Sequence, residues 1–481
     1  MKQIETDVVV IGGGCAGTAA ALTAVERGAR VVLFEKTSDL AMGGNGMFAV
    51  ETRHQRMRQM TFSRADAMKY FLEHTRYKVD ARLVKAYVDK SAETIEWLER
   101  HGIRFIEPVA YYPGGYYTWH YKDPASGRIT EVLLNRAKGL GATAFFETPV
   151  KQLIREKGHI TGVIAEGKNG EIYRVKARAV IIGTGGFGEN KDWVKKYTGH
   201  ELGRDLFMME REQPVLVGDG IRMAWEVGAT DTEMHMDVYR GLPGKYGGPG
   251  GASPELGVFR QPNLMIDQNG ERFVNEEVVF HGALAGNAVT IQKNRCAYML
   301  FDEDTNKYYE EHDWDWILSQ MPNTRSNNIA AIFQKAKEEG YPHLFMGNSI
   351  EEFCAWSGIE MGRLQRTLEE YNRFCETGRD EMFYKKAKYL KPVKRPPFYA
   401  GRFFLTGYGS LGGLRINARA EVMDNNLDPI PGLYAAGTDA NTLCGDTYVF
   451  TTPGHTSGFA YNTGRIAGES AVRYIKGTAI T

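Results

Sequence analysis

Two kinds of hydrophobic pattern follow one another at the start of the chain. Residues Asp7 to Ile11 read DVVVI, an apolar, β-branched run that is typical of a buried parallel strand. Ala16 to Arg27 has the composition of a helix, and Ala29 to Phe34 (ARVVLF) is a second apolar run of strand type. The order strand, helix, strand predicts a βαβ unit whose two strands share one sheet.

Glycines lie between the first strand and the helix, at Gly12, Gly14 and Gly17, in the pattern GxGxxG. Gly12 permits a tight turn, Gly14 lets the backbone approach a pyrophosphate, and Gly17 lets the helix pack close to the strand. Glu35 ends the second strand, and its carboxylate suits ribose hydroxyls but would repel a 2′-phosphate. The helix N-terminus adds N–H groups and a positive dipole. The unit therefore predicts dinucleotide binding.

Later segments extend this pattern. Thr148 to Ile154 and Ile160 to Val163 predict paired strands, and Ala177 to Gly188 predicts a buried strand that runs into glycines. Thr184 to Gly186 should then lie beside the first glycine loop, and Gly218 to Gly220 should open a short helix.

Two segments favour a flavin dinucleotide over a nicotinamide one. Gly43, Gly44 and Gly46 surround Asn45 just past the acidic strand end, where a plain nicotinamide domain needs no such loop. The segment Pro431 to Asp439 predicts a strand that ends in a glycine and an acid, with Asp439 placed to bind a ribityl hydroxyl. Thr452 is then expected to cap a helix that has Pro453 in its first turn and runs to about Tyr474, with its positive end towards the flavin.

Bulk properties limit the class of protein. A length of 481 residues favours two domains, and a formal net charge of zero argues against nucleic acid as a partner. No run of about 18 apolar residues predicts a transmembrane helix, and a strand from residue 7 leaves no room for a signal peptide. The five cysteines are scattered and form no CxxC, which argues against a c-type haem, a Cys-bound cluster or another metal site and favours the cytoplasm.

These segments together resemble the fumarate reductase/succinate dehydrogenase flavoprotein family, which includes ketosteroid dehydrogenases and related enoate reductases. The resemblance rests on GGGCAG, GTGGFG, GDGIRMA, NGERFVNE, SLGGLRIN, IPGLYAAG and GRIAGESA. It implies an α/β fold, with a discontinuous, Rossmann-like FAD-binding domain at 1–235 and 396–481. An α+β capping domain would occupy 236–395, where Asp302 to Glu338 and Ile350 to Glu376 have helical periodicity.

The resemblance also implies the cofactor contacts. The predicted FAD-binding residues are Gly12, Gly14, Cys15, Ala16, Gly17, Glu35, Lys36, Gly43, Gly44, Asn45, Gly46, Val150, Thr184, Gly185, Asp219, Gly437, Asp439 and Gly454. The histidine that some members join to the flavin is absent from the AMGGNGMF loop, so FAD is expected to be non-covalent.

The family moves a hydride between flavin N5 and one carbon of an activated C–C bond, while a protein group moves a proton at the neighbouring carbon. In fumarate reductases arginines and histidines hold the two carboxylates, but this chain has Phe280 at the place of the catalytic arginine. Tyr408 with Gly409 replaces the expected histidine, and Asp446 to Tyr448 replaces a further arginine. Fumarate is therefore a poor substrate candidate.

The remaining candidates are aromatic and hydroxylic. The predicted catalytic residues are Tyr448, Tyr408, His281 and His455, and the tyrosines of YYPGGYY (111, 112, 116 and 117) are candidates for substrate lining. Each of these has the alternative of plain packing. Arg240 and Arg260 are able to hold a single carboxylate, and Arg272 with Glu276 is expected as an ion pair that supports the site.

The predicted function is FAD-dependent reduction of an enoate or enone, or the reverse dehydrogenation, of a small unsaturated or ketone-bearing substrate. No second GxGxxG unit for a nicotinamide dinucleotide is predicted, so electrons are expected from a separate donor or acceptor. One alternative is an electron-transfer flavoprotein subunit without its own substrate. Another is a two-domain NAD-dependent dehydrogenase, which Asp439 and its segment oppose.

Overall fold

The βαβ unit predicted at the start of the chain is present. In the computed structural model, which describes residues 1–41, 43–44, 46–112, 114–208, 214–247, 253–315 and 325–477, the first strand is Val8–Ile11. The helix is Cys15–Glu26 and the second strand is Val31–Phe34. The observed ends differ from the predicted ends by one or two residues, because the end of an apolar run does not fix where backbone pairing stops.

The described helices and strands alternate along most of the chain. The helices are α1 (Cys15–Glu26), α2 (Arg53–Met57), α3 (Arg64–His74), α4 (Ala81–Arg100), α5 (Ile129–Gly139), α6 (Lys191–Thr198), α7 (Asp219–Glu226), α8 (Gly282–Thr290), α9 (Glu303–Glu311), α10 (Ile329–Glu338), α11 (Ile350–Ser357), α12 (Met361–Thr377) and α13 (His455–Lys476). The strands are β1 (Lys2–Glu5), β2 (Val8–Ile11), β3 (Val31–Phe34), β4 (Gly46–Phe48), β5 (Trp119–Tyr121), β6 (Thr143–Phe145), β7 (Val150–Glu156), β8 (His159–Glu166), β9 (Ile172–Lys176), β10 (Ala179–Ile182), β11 (Leu206–Met208), β12 (His235–Gly241), β13 (Leu264–Ile266), β14 (Ala297–Asp302), β15 (Leu344–Gly347), β16 (Phe398–Gly413), β17 (Glu421–Met423), β18 (Pro429–Ala435) and β19 (Ala440–Asn441).

Contacts divide the chain into two units. Unit 1 comprises residues 1–198, 213–236 and 409–481, and unit 2 comprises residues 199–212 and 237–408. The α/β class predicted from the sequence is confirmed.

Unit 1 is built on a sheet in the order β17-β18-β10-β2-β3-β6. All its neighbours are parallel except β17, which runs antiparallel to β18 at the edge. Val8, Val9 and Val10 of the central strand β2 are fully buried, as expected for a strand that is covered on both faces. The predicted strand pair is present as β7 and β8 in a smaller sheet of order β1-β9-β8-β7.

Helices α1 and α13 of unit 1 cross through small residues. A Cβ added to Gly464 would fall well inside contact distance of the Ala16 carbonyl oxygen, and one added to Gly468 would lie 2.7 Å from the Ala20 carbonyl oxygen. The two backbones therefore approach each other at a distance that only glycine at 464 and 468 allows. This crossing joins a helix near residue 20 to one near residue 465.

Unit 2 is built around the long strand β16, which pairs with β11, β12, β14 and β15 within this unit. One apolar cluster includes Phe259, Phe301 and Phe403, and a second includes Tyr298 and Phe353. The helical stretches predicted here are shorter than expected. Asp302 to Glu338 contains α9 and α10, with residues 316–324 outside the described part of the chain, and the second stretch breaks at Gly358 (φ +79°) between α11 and α12.

The predicted ion pair of Arg272 and Glu276 is present in unit 2 as part of a larger buried network. Arg272 binds Glu276 with both ends of its fork (2.9 and 2.8 Å) and binds Asp380 in the same way (3.0 and 2.9 Å). Lys385, which is fully buried, lies 3.4 Å from Glu276 and donates a hydrogen bond to the hydroxyl of Tyr371. Two cations and two carboxylates thus compensate one another away from water.

Among the described residues, none of the helices has the length and apolar character that crossing a lipid bilayer requires.

Candidate cofactor and active site

The glycine loop after β2 has the conformation that its motif predicts. Gly12 has φ +104°, and a Cβ on it would collide with the backbone of Gly183 at the end of β10. A Cβ on Gly17 would collide with the carbonyl of Gly12. Gly14 is the N-cap of α1 and receives no side-chain cap, and the space beside it is open for 4 Å. The N-terminus of α1 is thus uncapped and accessible, as an anion site requires.

Glu35 stands at the end of β3, where its carboxylate is held by backbone donors. Its Oε2 accepts the N–H of Gly13 at 2.7 Å, and its Oε1 accepts the N–H of Thr37 at 2.8 Å. The backbone carbonyl of Glu35 accepts the N–H of Thr148, which brings the chain just before Val150 to this place. Glu35 therefore lies beside the glycine loop, and Val150 begins β7 close by in sequence.

Asp439 is fully buried and is held by donors of the protein, and its binding to a ribityl hydroxyl stays a prediction. Its carboxylate accepts the backbone N–H groups of Thr184, Gly185 (3.0 Å) and Gly186 (3.1 Å) and the hydroxyl of Thr184 (2.8 Å). Burial raises the pKa of Asp439 and outweighs these four hydrogen bonds, which lower it. The structure therefore brings the two predicted segments together, but the carboxylate binds the protein backbone.

Several other predicted cofactor residues contact each other or the protein. Lys36 donates to Asp219 at 2.6 Å. A Cβ on Gly437 would lie 2.9 Å from the Cβ of Ala16, which explains the glycine at 437 by packing. Gly454 (φ +96°) is the N-cap of α13.

The second glycine loop is held by protein contacts. A Cβ on Gly43 would lie 2.9 Å from Cys15 Sγ, and a Cβ on Gly44 would collide with the side chain of Ser457 at the start of α13. A Cβ on Gly46 would collide with the indole ring of Trp119, so only glycine fits at position 46. Burial raises the pKa of the Cys15 thiol. Asn45 lies outside the described residues.

These observations fit a flavin dinucleotide. The uncapped N-terminus of α1 and the open space at Gly14 suit the pyrophosphate, and Glu35 suits the ribose. The N-terminus of α13, where the N-cap Gly454 has no side chain, adds a second positive helix end.

At the start of α13, His455 is enclosed by aromatic rings. Its ring centroid lies 4.9 Å from that of Phe48 and 4.7 Å from that of Phe71, and the residue is fully buried. The ring nitrogens lie 2.8 Å from the hydroxyl of Thr452 (Nε2) and 3.3 Å from that of Tyr87 (Nδ1). Burial holds the pKa of His455 well below its usual value, so the imidazole is neutral.

The prediction that Thr452 caps α13 is wrong. The helix begins at His455 with Gly454 as its N-cap, and the Thr452 hydroxyl binds the His455 ring. The hydroxyl of Tyr448 instead accepts the backbone N–H of His455 at 3.1 Å. Tyr448 thus satisfies a donor in the first turn of α13 from outside the helix, a role that Ser or Thr usually fills.

The tyrosines of YYPGGYY lie against the loop that follows Tyr448. The N–H of Tyr116 donates to the Thr451 carbonyl at 2.8 Å, and a Cβ on Gly115 would lie 2.7 Å from the Thr451 Cα. The ring of Tyr112 packs at 5.1 Å from that of Phe450, which itself lies 4.9 Å from Tyr448. The rings of Tyr112, Phe450 and Tyr448 therefore form a buried aromatic cluster inside unit 1. Tyr116 and Tyr117 are each 41% exposed. The ring of Tyr111 packs at 4.6 Å from that of Tyr117.

Sequence reasoning missed three residues of this region. Tyr87, on α4, reaches the His455 ring, while Tyr70 and His74 lie one turn apart on α3. Tyr70 binds the hydroxyl of Thr451, and Nε2 of His74 donates to the Thr447 carbonyl at 2.7 Å. The i, i+4 spacing of Tyr70 and His74 on one helix face was the available signal.

The other two catalytic candidates lie in unit 2. His281 is the N-cap of α8, where its Nδ1 accepts the N–H of Leu284 at 3.3 Å. The ring of Tyr408 packs at 4.7 Å from that of Tyr239, to whose hydroxyl it is hydrogen-bonded. Burial raises the pKa of Tyr239 to about 12.

Arg240 and Arg260 are buried in unit 2. The guanidinium of Arg240 binds the Phe259 carbonyl and lies 4.1 Å above the ring of Phe403. Arg240 is therefore already engaged with the protein, and its binding to a substrate carboxylate stays a prediction.

Comparison with known proteins identifies the family. A model of the FAD binding domain family matches residues 7–449. The chain is 32% identical to a vinyl phenol reductase of Lactiplantibacillus plantarum, over 98% of this chain and 97% of that protein. It is 28% identical to a urocanate reductase of Eggerthella lenta, over 97% of this chain and 74% of that protein.

Solved structures agree in fold. A 3-ketosteroid-Δ4-(5α)-dehydrogenase from Rhodococcus jostii RHA1 superposes with a TM-score of 0.74 at 23% identity, over 98% of this chain and 97% of that one. The cofactor prediction of FAD is confirmed by the family match, which sets the NAD-dependent alternative aside. The chain belongs to the FAD binding domain family and is a flavin-dependent oxidoreductase that acts on carbon–carbon bonds, by C=C reduction or dehydrogenation.

Proposed function

We propose that this enzyme reduces the C=C bond of a small, uncharged alkene that is conjugated to an aromatic ring, with para-hydroxystyrenes as the first compounds to test. The observation that carries the proposal is the Tyr448 hydroxyl at the first turn of α13, whose ring belongs to an aromatic cluster with Tyr112 and Phe450. The segment 446–455 contains no arginine or lysine to hold a carboxylate. The vinyl phenol reductase, at 32% identity over nearly the full length, supports the same class.

Tyr448 is the proposed proton donor. When its phenol gives a proton to the substrate carbon, the phenolate left behind remains bound to the His455 N–H and faces the positive end of α13. Both interactions become stronger as negative charge develops on the oxygen, so they stabilise the transition state more than the ground state.

His455 is assigned a positioning role instead of the predicted acid role. Its ring is neutral, fully buried and bound through both nitrogens to the hydroxyls of Thr452 and Tyr87. These contacts fix the first turn of α13 and therefore the N–H that Tyr448 accepts. His281 and Tyr408 stay predicted catalytic residues of unit 2.

FAD, when bound, supplies the two-electron exchange with the C=C bond. The chain would hold it non-covalently through the open N-terminus of α1 at Gly14, through Glu35 and through the N-terminus of α13. Asp439 would support it indirectly, because its carboxylate orders the Thr184 to Gly186 backbone.

We propose the domain division that the family resemblance implies, with FAD binding at 1–235 and 396–481 and a substrate cap at 236–395. A separate electron donor is part of the proposal, since the GxGxxG at residues 12–17, which runs directly into helix α1, is assigned to FAD. Five free thiols and zero net charge support a reducing cytoplasm and no nucleic-acid partner.

The test is anaerobic reoxidation of the reduced holoenzyme. The protein is reduced with a viologen dye and mixed with 4-vinylphenol, urocanate, fumarate, a cyclic enone or a 3-ketosteroid, and the flavin absorbance is followed. We expect fast reoxidation by 4-vinylphenol and none by fumarate. Fast reoxidation by fumarate or by the ketosteroid alone would overturn the proposed substrate class. If no compound reoxidises the flavin, the alternative of an electron-transfer subunit is favoured.

A further inference from the structure

A cavity separate from the candidate active site of unit 1 has all its lining residues in unit 2. It has a volume of about 570 Å³, which is in the range of small-molecule sites, and its lining includes Arg204, Arg295 and Arg402 but only one carboxylate, that of Asp205. The remaining lining is polar or aromatic, with Gln268 and Phe404 among it. Three guanidinium groups around one acid give this cavity an excess of positive charge.

Two of the arginines are compensated. Arg204 lies 3.0 Å from Asp205 and 3.0 Å from Glu201, and Arg295 lies 3.7 Å from the same oxygen of Asp205. The Asp205 side chain is buried, and Arg204 and other neighbours hold its pKa below the usual value in spite of burial, so it is ionised. One carboxylate in the lining is therefore shared by two cations.

Arg402 has no such partner. Among the described residues no carboxylate lies within 4.0 Å of its guanidinium, and its buried Nε has no hydrogen-bond partner. The guanidinium lies 5.3 Å from the ring of Tyr298 and 5.0 Å from that of Trp356. It makes a long hydrogen bond of 3.5 Å to the Trp356 carbonyl and a hydrogen bond to the neutral hydroxyl of Tyr298. Aromatic faces favour the cation but leave its N–H groups without strong acceptors.

The backbone at the rim of the cavity is strained. Asn294 and Arg295 both have φ +53°, in the left-handed region that non-glycine residues seldom adopt. The strain is held by side-chain contacts, because Arg295 binds the Gly199 carbonyl and Asn294 binds Gln268. Backbone strain of this kind is concentrated where a protein positions groups for a ligand.

We propose that this cavity binds the oxyanion of a small organic molecule, a carboxylate or a phosphate ester, through Arg402 and Arg295. The planar fork of arginine matches two oxygens of either group, and the amide of Gln268 and the ring of Phe404 suit the rest of such a molecule. Arg402 precedes Tyr408 by six residues on β16, which is about 20 Å along a strand. The site is therefore separate from the predicted catalytic tyrosine of this unit, and it does not depend on the proposed function.

Isothermal titration calorimetry on the full-length holoenzyme tests the proposal, with inorganic phosphate and benzoate as the two probes. We expect one of them to bind with a Kd of about 1 mM or tighter at low salt, and the binding one identifies the class. Arg402→Gln should weaken that binding at least tenfold, and raising the salt concentration should weaken it in the wild type. The matched control is Arg363→Gln, an exposed arginine of unit 2 that should change nothing.

Arg295→Lys provides a second variant that keeps the charge beside Asp205 but removes the fork. It should weaken binding several-fold even if Arg402→Gln does not fold, with flavin content as the check of folding. The proposal is overturned if neither probe binds the wild type, or if a folded Arg402 or Arg295 variant binds as tightly as the wild type.

Discussion

Asp439 of unit 1 and Asp380 of unit 2 are buried carboxylates held in opposite ways. Asp439 is surrounded by neutral donors, the N–H groups of residues 184–186 and one hydroxyl. Asp380 also accepts backbone N–H groups, including that of Lys385 at 3.0 Å, but in addition it binds the guanidinium of Arg272 through both oxygens. The two environments therefore differ by the positive charge of Arg272, which Asp380 has beside it and Asp439 lacks.

That charge decides the direction of the pKa shift. Burial raises the pKa of both carboxyl groups. At Asp439 burial prevails over four hydrogen bonds, whereas at Asp380 Arg272 and the backbone donors prevail and bring the pKa down to about 2. Unit 1 thus keeps cations away from its buried acid in the nucleotide region, and unit 2 uses them to hold its fold.

Placing a cation beside the neutral backbone donors of the predicted nucleotide site in unit 1 should have the largest effect, which is on FAD binding. Glu35→Arg replaces a carboxylate that is held by the N–H groups of Gly13 and Thr37 with a group that repels those donors and cannot accept ribose hydroxyls. We expect the purified variant to contain essentially no FAD, as measured by its absorbance near 450 nm after denaturation. Glu5→Arg, on the exposed strand β1, should remain fully yellow, and a fully yellow Glu35 variant would refute this assignment.

Removing the cation from unit 2 should have the next largest effect. Arg272→Met leaves Glu276 and Asp380 buried without their shared partner, and we expect a loss of about 3–5 kcal/mol in the free energy of unfolding. Urea denaturation measures it, with the exposed Arg373→Met as a control that should stay within about 0.5 kcal/mol. A loss below about 1 kcal/mol would mean that the network contributes little beyond packing.

Removing one hydroxyl from the active region should reduce turnover by the next largest factor. Tyr448→Phe keeps the ring against Phe450 but removes the proposed acid, and we expect turnover to fall about 100-fold, the usual scale for such a group. Tyr434→Phe, a buried tyrosine of β18, should turn over at the wild-type rate. An unchanged rate in the Tyr448 variant would return this residue to a packing role.

The smallest effect is the pH dependence of stability. Because the folded pKa of Asp380 lies near 2, below its usual value of 3.8, its contribution is complete above pH 4 and is lost as the pH falls towards 2. Asp439 changes the stability with the opposite sign, because its raised pKa means that protonation stabilises the folded state. We expect the Tm to fall between pH 4 and pH 2, and to fall less in Asp380→Asn than in the exposed control Asp192→Asn. Equal slopes in both variants would contradict the assignment to Asp380.

The sequence predicted well those parts of the site that local pattern determines. The turn at Gly12, the position of Glu35 at a strand end and the pairing of Arg272 with Glu276 all follow from residues within about twenty positions of each other. Each depends on backbone conformation or on the short distance along the chain between two residues, which short segments specify.

Contacts between distant segments were beyond the sequence. Nothing in the sequence around Asp439 indicates that its carboxylate binds the backbone of residues 184–186. Asp380 is likewise 108 positions from its partner Arg272. The role of Tyr87 at His455 and of Tyr116 at Thr451 is set by how helices and loops pack, and a single sequence does not encode which buried tyrosine meets which histidine.

The crossing of α1 with α13 has a consequence for biosynthesis. The glycine loop and Glu35 leave the ribosome early, but the helix that packs on Ala16 and Ala20, and the strand β18 that pairs with β10, are made only at the other end of the chain. At usual rates of translation the gap is about 20–90 s. During that time the apolar face of α1 and an edge of the central sheet are uncovered, so the nascent chain needs shielding, and cofactor loading waits until translation of α13 is finished.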